Sequence, residues 1–257
     1  MTEISSTADL DVRRDGHVAI VELRRPPHNY FDEHLIRALV QVFEQLDEDP
    51  TCRAIVLAAQ GKAFCAGADF TGGDTDPKMP RRLYEHAVRL FRTRKPVVAA
   101  VHGAAIGGGV GLALVADFRV TCEEARFSVN FNRLGIHPGF GLSVTLPRLI
   151  GVQQAQLLLF TGRRITGRQA VDIGLADVLA PADQVLAQAV ALAQEIAGSA
   201  PLALMSTRAT LRAGLADAIL AAVDREASEQ EWQVQTTDFA EGVAATAARR
   251  AAVFLAK

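Results

Sequence analysis

Short apolar runs and helically spaced apolar positions succeed each other along the first half of the chain. Val18–Leu23 and residues 53–58 are continuous runs rich in aliphatic and β-branched side chains, which predicts two buried strands. Between them, apolar residues recur every three or four positions from Asp32 to Pro50, which predicts an amphipathic helix with Asp32 as its N-cap. Val97–Val101 predicts a third strand after a second helix. This order of elements is typical of an α/β protein.

The pattern changes in the second half of the chain, where helical spacing dominates from about residue 153. Thr166 and Gln169 have the spacing of a capping box, and an apolar stripe runs through residues 185–196.

Five glycines interrupt the most apolar run of the chain, HGAAIGGGVGLALVADF at residues 102–118. Each glycine inside a helix costs about 1 kcal/mol relative to alanine, so their number indicates a local need for bare backbone. A loop without side chains before a helix offers its N–H groups to a phosphate or to a developing oxyanion. The phosphate-binding patterns GxxxxGK[ST] and GxGxxG are absent from this run. Close packing between helix and strand is the second interpretation, and this loop alone does not separate the two.

Composition and charge exclude several classes of partner. The 27 Lys and Arg residues are balanced by 29 Asp and Glu residues, so the net charge of −2 gives no general attraction to nucleic acid or to an anionic membrane. Only residues 96–118 resemble a membrane span, and the glycines together with His102 and Asp117 argue against one. The polar N-terminus is no secretory signal, and the three cysteines lack a metal-binding spacing. We expect a cytoplasmic protein with reduced thiols and no bound metal.

Two glycine-containing loops follow predicted strands about 40 residues apart, GKAFCAGAD at residues 61–69 and GAAIGGGVGLAL at residues 103–114. Further segments agree with one family in sequence and in order, namely RPP, LGIHPGFG with LPRLIG, TGRRITGRQAVDIGLAD and DFAEGV. Over roughly residues 15–250 the chain resembles the crotonase family, the enoyl-CoA hydratases and isomerases.

The resemblance implies an α/β fold built as a crotonase-like spiral of repeated ββα units. The spiral core would comprise residues 1–195. A helical C-terminal region, residues 196–257, would follow and serve trimerisation and cover of the pocket, in a homotrimer or homohexamer. The substrates it implies are acyl-CoA thioesters. Coenzyme A would then enter as part of the substrate, and no bound cofactor is expected.

The resemblance also assigns roles to residues of both loops. Two backbone N–H groups would stabilise the thioester oxyanion, and their places in AGAD and GGG are those of Ala68 and Gly108. Removing a donor of this kind costs about 3 kcal/mol of transition-state stabilisation. The positions expected to contact the substrate are Ala66, Asp69, Phe70, Thr71, Gly107 and Phe131.

The chain departs from the family where hydratases carry two catalytic glutamates. The first position is Gly111 and the second is Phe131, and neither side chain can transfer a proton. Proton transfer by a positioned group contributes roughly 10²–10⁴-fold, so we expect a poor hydratase. His137, in GIHPGFG, is the candidate that replaces the glutamates, because an unperturbed imidazole titrates near neutral pH. The other interpretation of His137 is a loop histidine that is hydrogen-bonded to backbone.

Three functions remain open from the sequence. The first is an acyl-CoA enzyme of the hydratase/isomerase group that stabilises a thioester enolate. The second is a non-catalytic acyl-CoA binder. The third is a CoA-independent C–C bond hydrolase, which convergence of His28, His102 and His137 would favour.

Overall fold

The computed structural model describes residues 8–68 and 76–257. The strands in these ranges are β1 (Leu10–Asp15), β2 (Val18–Leu23), β3 (Ala54–Ala59), β4 (Ala63–Cys65), β5 (Val97–Val101), β6 (Ala104–Ile106), β7 (Phe118–Thr121), β8 (Arg126–Ser128), β9 (Ile165–Thr166) and β10 (Val178–Leu179). The helices are α1 (Glu33–Glu48), α2 (Met79–Leu90), α3 (Gly108–Ala113), α4 (Leu142–Thr161), α5 (Gly167–Asp172), α6 (Val185–Ala197), α7 (Pro201–Leu211), α8 (Leu215–Gln233) and α9 (Thr237–Ala247). Short 3-10 helices lie at Asn130–Leu134 and Ala182–Gln184.

The strands form two sheets that are linked by a repeating unit. The larger sheet has the order β1-β2-β3-β5-β7-β10 and is parallel apart from the β1–β2 hairpin. The smaller sheet has the order β4-β6-β8-β9, with β4, β6 and β8 parallel. In the pairs β3–β4, β5–β6 and β7–β8, the first strand joins the larger sheet and the second joins the smaller one. A helix follows each pair, so the prediction of an α/β spiral of ββα units is confirmed.

Local signals in the sequence set the starts of two helices as predicted. The Asp32 carboxylate accepts the Leu35 N–H at 2.8 Å and caps α1, whose apolar side is buried. Thr166 and Gln169 form a capping box at the start of α5. Both motifs depend on residues three positions apart, which is why the sequence reveals them.

The prediction of helix from about residue 153 was wrong in two respects. Helix α4 already begins at Leu142 and continues past Pro147, and its kink lies at Gly151, where φ is +78°. The short strands β9 and β10 interrupt the helical region further on. A strand of two residues has no period that a sequence pattern can show.

The boundary drawn at residue 195 falls inside α6. That helix packs against β2, β3, β5 and β7 through a buried face formed by Val185, Ala189, Ala193 and Ala197. Helix α6 therefore covers the larger sheet and belongs to the core. The helices of the C-terminal region are α7–α9, which follow Ala197.

No single helix in the described ranges is long and apolar enough to cross a membrane. Ala182–Ala197 and Pro201–Leu211, which are bent by 106° relative to each other, meet the criteria of length and composition only as a pair. The run at residues 96–118 forms strands and the short helix α3.

Candidate active site

A cavity of about 390 Å³ opens where the two glycine loops meet α2 and the C-terminal helices. Its wall is mostly apolar, and none of the described residues that line it is Asp or Glu. The polar side chains on the wall are those of His28, Tyr30, Tyr84, Asn130, Arg164, Gln230 and Thr246.

Strand pairing fixes both glycine loops beside the cavity. In the first loop, the Phe31 N–H donates to the Gly67 carbonyl at 2.9 Å, and the Ala66 N–H donates to the His28 carbonyl at 2.9 Å. In the second loop, the Gly107 N–H donates to the Ser128 carbonyl at 2.7 Å. These bonds tie the first loop to residues 28–31 and the second loop to the end of β8.

Two backbone donors on the cavity wall are unused. Within residues 8–68 and 76–257, neither the Ala68 N–H nor the Gly108 N–H has a hydrogen-bond partner, and both residues line the cavity. The loops lie side by side, since a Cβ built on Gly67 would be 3.6 Å from the Gly108 nitrogen. Unsatisfied backbone N–H groups favour an oxygen that gains negative charge.

The same glycines also serve close packing. A Cβ on Gly109 would overlap the Cys65 carbonyl oxygen, and a Cβ on Gly108 would lie 2.5 Å from Phe31 Cζ. A Cβ on Gly103 would overlap the Lys62 carbonyl oxygen. The close-packing interpretation of the loop is therefore confirmed, because backbone can approach this closely only where side chains are absent. The anion-binding interpretation stays a prediction.

Phe131 stands at the second of the two positions where hydratases carry glutamates, and Phe140 packs against the first, Gly111. Phe131 is buried and lines the cavity. A Cβ on Gly111 would lie 2.8 Å from the Cβ of Phe140, whose ring is fully buried beside Phe31 and Tyr84. Neither position offers the cavity a group that transfers protons.

His137 is not among the residues that line the cavity. Its backbone N–H donates to Gln233 Oε1 at 2.6 Å, and its ring Nδ1 lies 2.7 Å from the Pro138 carbonyl oxygen. This geometry matches the loop-histidine interpretation, and a catalytic role for His137 stays a prediction. His102 is also absent from the wall and contacts the Gly61 carbonyl at 2.9 Å, so only His28 of the three histidines faces the cavity.

The structure brings three of the six predicted substrate-contact positions to the cavity. Ala66, Gly107 and Phe131 line the cavity with Ala68 and Gly108. The other predicted contact positions, Asp69, Phe70 and Thr71, lie outside the described residues. No group of three or more His, Cys, Asp or Glu side chains in the described part of the chain is arranged to hold a metal ion.

Helix α8 supplies polar residues to the site that the sequence analysis missed. Gln230 Nε2 donates to the His137 carbonyl at 2.6 Å, and Gln230 Oε1 accepts the Tyr84 hydroxyl at 2.9 Å. One turn earlier, Glu226 accepts the N–H groups of Gly141 and Ser143 at 2.8 and 3.0 Å. The spacing of Glu226, Gln230 and Gln233 puts them on one helix face, but α8 is polar on several sides, which conceals the buried one.

Burial shifts the pKa of both buried acids in this network upward. Burial raises the pKa of Glu226 even though Ser143 and Gly141 donate to its carboxylate. The pKa of Tyr84 also lies above its ordinary value of 10.0. Burial is the larger cause, and the charge of the nearby Glu226 is the smaller one. Tyr84 is therefore a neutral hydrogen-bond donor at physiological pH.

Asp117 connects β5 to helix α7 and to the residue that follows it. Its carboxylate accepts the Val97 N–H and the Arg208 Nε–H, each at 2.8 Å, and Arg212 Nη1–H at 3.0 Å. Arg119 pairs with Asp177 at 2.8 Å.

The sequence and the fold are both similar to those of known proteins of one family. The model of the enoyl-CoA hydratase/isomerase family matches residues 13–257. A putative enoyl-CoA hydratase of Thermus thermophilus is 37% identical over 90% of this chain and 94% of its own length. The human mitochondrial Δ(3,5)-Δ(2,4)-dienoyl-CoA isomerase is 32% identical over 90% of this chain and 76% of its own length. An enoyl-CoA hydratase/isomerase structure from Pseudoalteromonas atlantica has a TM-score of 0.87 at 28% identity, covering 96% of this chain and all of that one.

The fold and the paired glycine loops define a crotonase-type protein. The chain belongs to the enoyl-CoA hydratase/isomerase family.

Proposed function

We propose that this protein is an acyl-CoA enzyme that holds a thioester enolate with the N–H groups of Ala68 and Gly108 and hydrates enoyl-CoA poorly. The observation that carries the proposal is the pair of unused backbone donors on a cavity wall without carboxylates among its described residues. Membership of a family that acts on CoA thioesters supplies the substrate class.

The two donors act where charge develops. When the α-carbon of a thioester becomes carbanionic, its negative charge moves to the carbonyl oxygen. Fixed donors in a cavity of this kind stabilise that oxygen by about 3 kcal/mol each, since they need no reorganisation during the reaction. This is the chemistry that backbone alone can provide.

Hydration needs more than these donors. Water must lose a proton as it adds to the β-carbon, and the α-carbon must gain one. Gly111 and Phe131 provide no group for either step, and each positioned proton-transfer group contributes roughly 10²–10⁴-fold. We therefore expect reactions of the enolate that need fewer proton transfers.

Crotonyl-CoA tests the proposal in two measurements on the purified protein. Titration calorimetry compares the binding of crotonyl-CoA with that of free coenzyme A, and the loss of enone absorbance follows hydration. We expect saturable binding that is tighter for the thioester, with hydration far below that of a family hydratase measured alongside. Fast hydration would overturn the interpretation of Gly111 and Phe131, and equal affinity for both ligands would overturn the role of the donors. If the protein binds thioesters but converts none of them, the remaining function is that of a non-catalytic acyl-CoA binder.

We also propose a cytoplasmic homotrimer or homohexamer. Large apolar side chains stay exposed on α4 and α7, namely Val152, Phe160, Leu202 and Leu211, and such exposure on a monomer favours association. Cys52, Cys65 and Cys122 are buried free thiols, which fits a reducing compartment. Light scattering after gel filtration should give three or six times the 27.5 kDa chain mass, and a 27.5 kDa species would contradict the assembly.

A further inference from the structure

Tyr84 lines the cavity, and its hydroxyl group lies where the loop of residues 137–141 has no side chain. A Cβ built on Gly139 would overlap the Tyr84 hydroxyl oxygen, so the phenol fills the space that a side chain at position 139 would use. Tyr84 lies on α2, and it lines the same cavity as Ala68 and Gly108. A group from α2 thus reaches the loop of residues 137–141.

The position of the phenol is fixed by hydrogen bonds and packing. Tyr84 donates to Gln230 Oε1 at 2.9 Å, and Gln230 is itself held through the His137 carbonyl. The ring of Tyr84 packs edge-on against Phe140 with a centroid distance of 6.3 Å. A side chain held in this way presents its hydroxyl in one place, which is what a proton donor needs.

Tyr84 can donate a proton but is a poor base. The phenol is neutral at physiological pH because burial raises its pKa. None of the described residues on the wall is a carboxylate that could remove a substrate proton. The one imidazole among the described wall residues belongs to His28, whose ring packs against Tyr30 at a centroid distance of 5.4 Å. A neutral proton donor that is held in one place suits an enolate that arises by breaking a C–C bond, because no proton has to be removed to form it.

Asn130 gives the cavity wall a polar side chain next to the second glycine loop, which contains Gly107 and Gly108. Its Oδ1 would lie 3.8 Å from a Cβ on Gly107, and in the described ranges its side-chain amide has no hydrogen-bond partner. Asn130 lines the cavity, so its NH₂ group can donate to a carboxylate oxygen of a bound molecule. The apolar wall around it, which includes Phe131, disfavours a carboxylate relative to uncharged CO₂.

We propose that the cavity takes an α-carboxyacyl thioester, that Asn130 holds its carboxylate, and that Tyr84 protonates the enolate left after loss of CO₂. This inference rests on the proposed function, because the thioester oxygen is held by Ala68 and Gly108. It adds the substrate class and the proton donor to that function.

The reaction balances with water as the only co-reactant. The bond between the α-carbon and the carboxylate carbon breaks, CO₂ leaves, and the electron pair passes through the α-carbon to the thioester oxygen. The Tyr84 hydroxyl turns from Gln230 and transfers its proton to the α-carbon, which restores the thioester. Water returns a proton to the phenolate oxygen, and the hydroxide combines with CO₂ as bicarbonate.

The test uses methylmalonyl-CoA in D₂O with wild type, Tyr84→Phe and the control Ser228→Ala. Ser228 is matched to Tyr84 because it also brings a hydroxyl to the contact between α2 and α8, where it accepts from Arg81 at 2.9 Å, but it does not line the cavity. The readouts are the rate of propionyl-CoA formation, the configuration of the deuterated α-carbon, and the affinity for propionyl-CoA by calorimetry.

We expect wild type and Ser228→Ala to form propionyl-CoA with one configuration at the α-carbon. In Tyr84→Phe, turnover should slow about 100-fold and the product should be racemic, because solvent then delivers the proton from either side, while propionyl-CoA affinity stays unchanged. A Tyr84→Phe variant that keeps rate and configuration would overturn the role of Tyr84. Thioester binding without decarboxylation by wild type would overturn the substrate class and leave the proposed function standing. Failure to bind any CoA thioester would overturn both.

Discussion

Phe140 closes the space in which a side chain at position 111 would lie. A Cβ on Gly111 would be 2.8 Å from both Cβ and Cδ1 of Phe140. Phe140 is fully buried with φ at +62°, a left-handed conformation that is unusual for a bulky residue. Its ring contacts those of Phe31 and Tyr84 at centroid distances of 5.3 and 6.3 Å. The first hydratase position is therefore blocked by core packing as well as lacking a carboxylate.

We predict that Gly111→Ala destabilises the protein by about 1–3 kcal/mol, the usual cost of forcing an extra carbon into a packed core. Chemical denaturation measures the free energy of unfolding. The matched background is Phe140→Gly, which removes the opposing Cβ and ring and suits the left-handed backbone at position 140.

In the Phe140→Gly background, adding Gly111→Ala should cost much less, which a double-mutant cycle would show as a coupling between the two sites. An equal cost in both backgrounds would mean that Phe140 is not what excludes a side chain at position 111.

We predict that Phe131→Glu raises the rate of crotonyl-CoA hydration at least tenfold. Phe131 lies on the cavity wall, so this substitution restores a carboxylate at the second hydratase position without meeting Phe140. A positioned proton-transfer group contributes roughly 10²–10⁴-fold, and part of that range is the expected gain. Phe131→Gln is the control, because it has the same shape without a titrating group. Equal rates in the two variants would mean that a carboxylate at position 131 does not reach the reacting carbons.

The sequence predicted those parts of the site that depend on neighbouring residues. The two glycine loops, with Ala68 and Gly108, are recognisable because each motif is continuous and follows a strand. The Tyr84–Gln230 bond joins residues 146 positions apart, and no local pattern connects them. The conformation of Phe140 was equally hidden, since its neighbour Gly141 is the residue that favours a positive φ.

We predict that Glu226→Gln removes a pH dependence from the free energy of unfolding. Burial raises the folded-state pKa of Glu226 above its ordinary 4.5, so the folded protein binds this proton more tightly than the unfolded chain does. The contribution of Glu226 is then fully present below about pH 4.5 and is lost as the pH rises through the folded-state pKa.

Urea denaturation of both proteins between acid and neutral pH checks this prediction. The stability of wild type relative to Glu226→Gln should decrease as the pH rises, because all other titrating groups are common to both proteins. A relative stability that increases with pH would mean that the hydrogen bonds from Gly141 and Ser143 outweigh burial and lower the pKa.

The loop-histidine interpretation predicts that His137→Ala leaves thioester turnover unchanged and lowers the free energy of unfolding by only about 1 kcal/mol. The bonds that tie position 137 to Gln230 and Gln233 use its backbone. Within the described ranges, the one hydrogen-bond contact of the ring is with the Pro138 carbonyl. His102→Ala is the matched control, because His102 also meets a backbone carbonyl away from the cavity wall.

The rate of propionyl-CoA formation from methylmalonyl-CoA and urea denaturation are the two measurements for these histidine variants. If turnover slowed about 100-fold or more in His137→Ala alone, with propionyl-CoA affinity unchanged, His137 would be the proton-handling residue, because a loss of that size is what a positioned acid or base contributes. Slower turnover in both variants would instead mean that the loops lose their shape when a histidine no longer meets its backbone carbonyl.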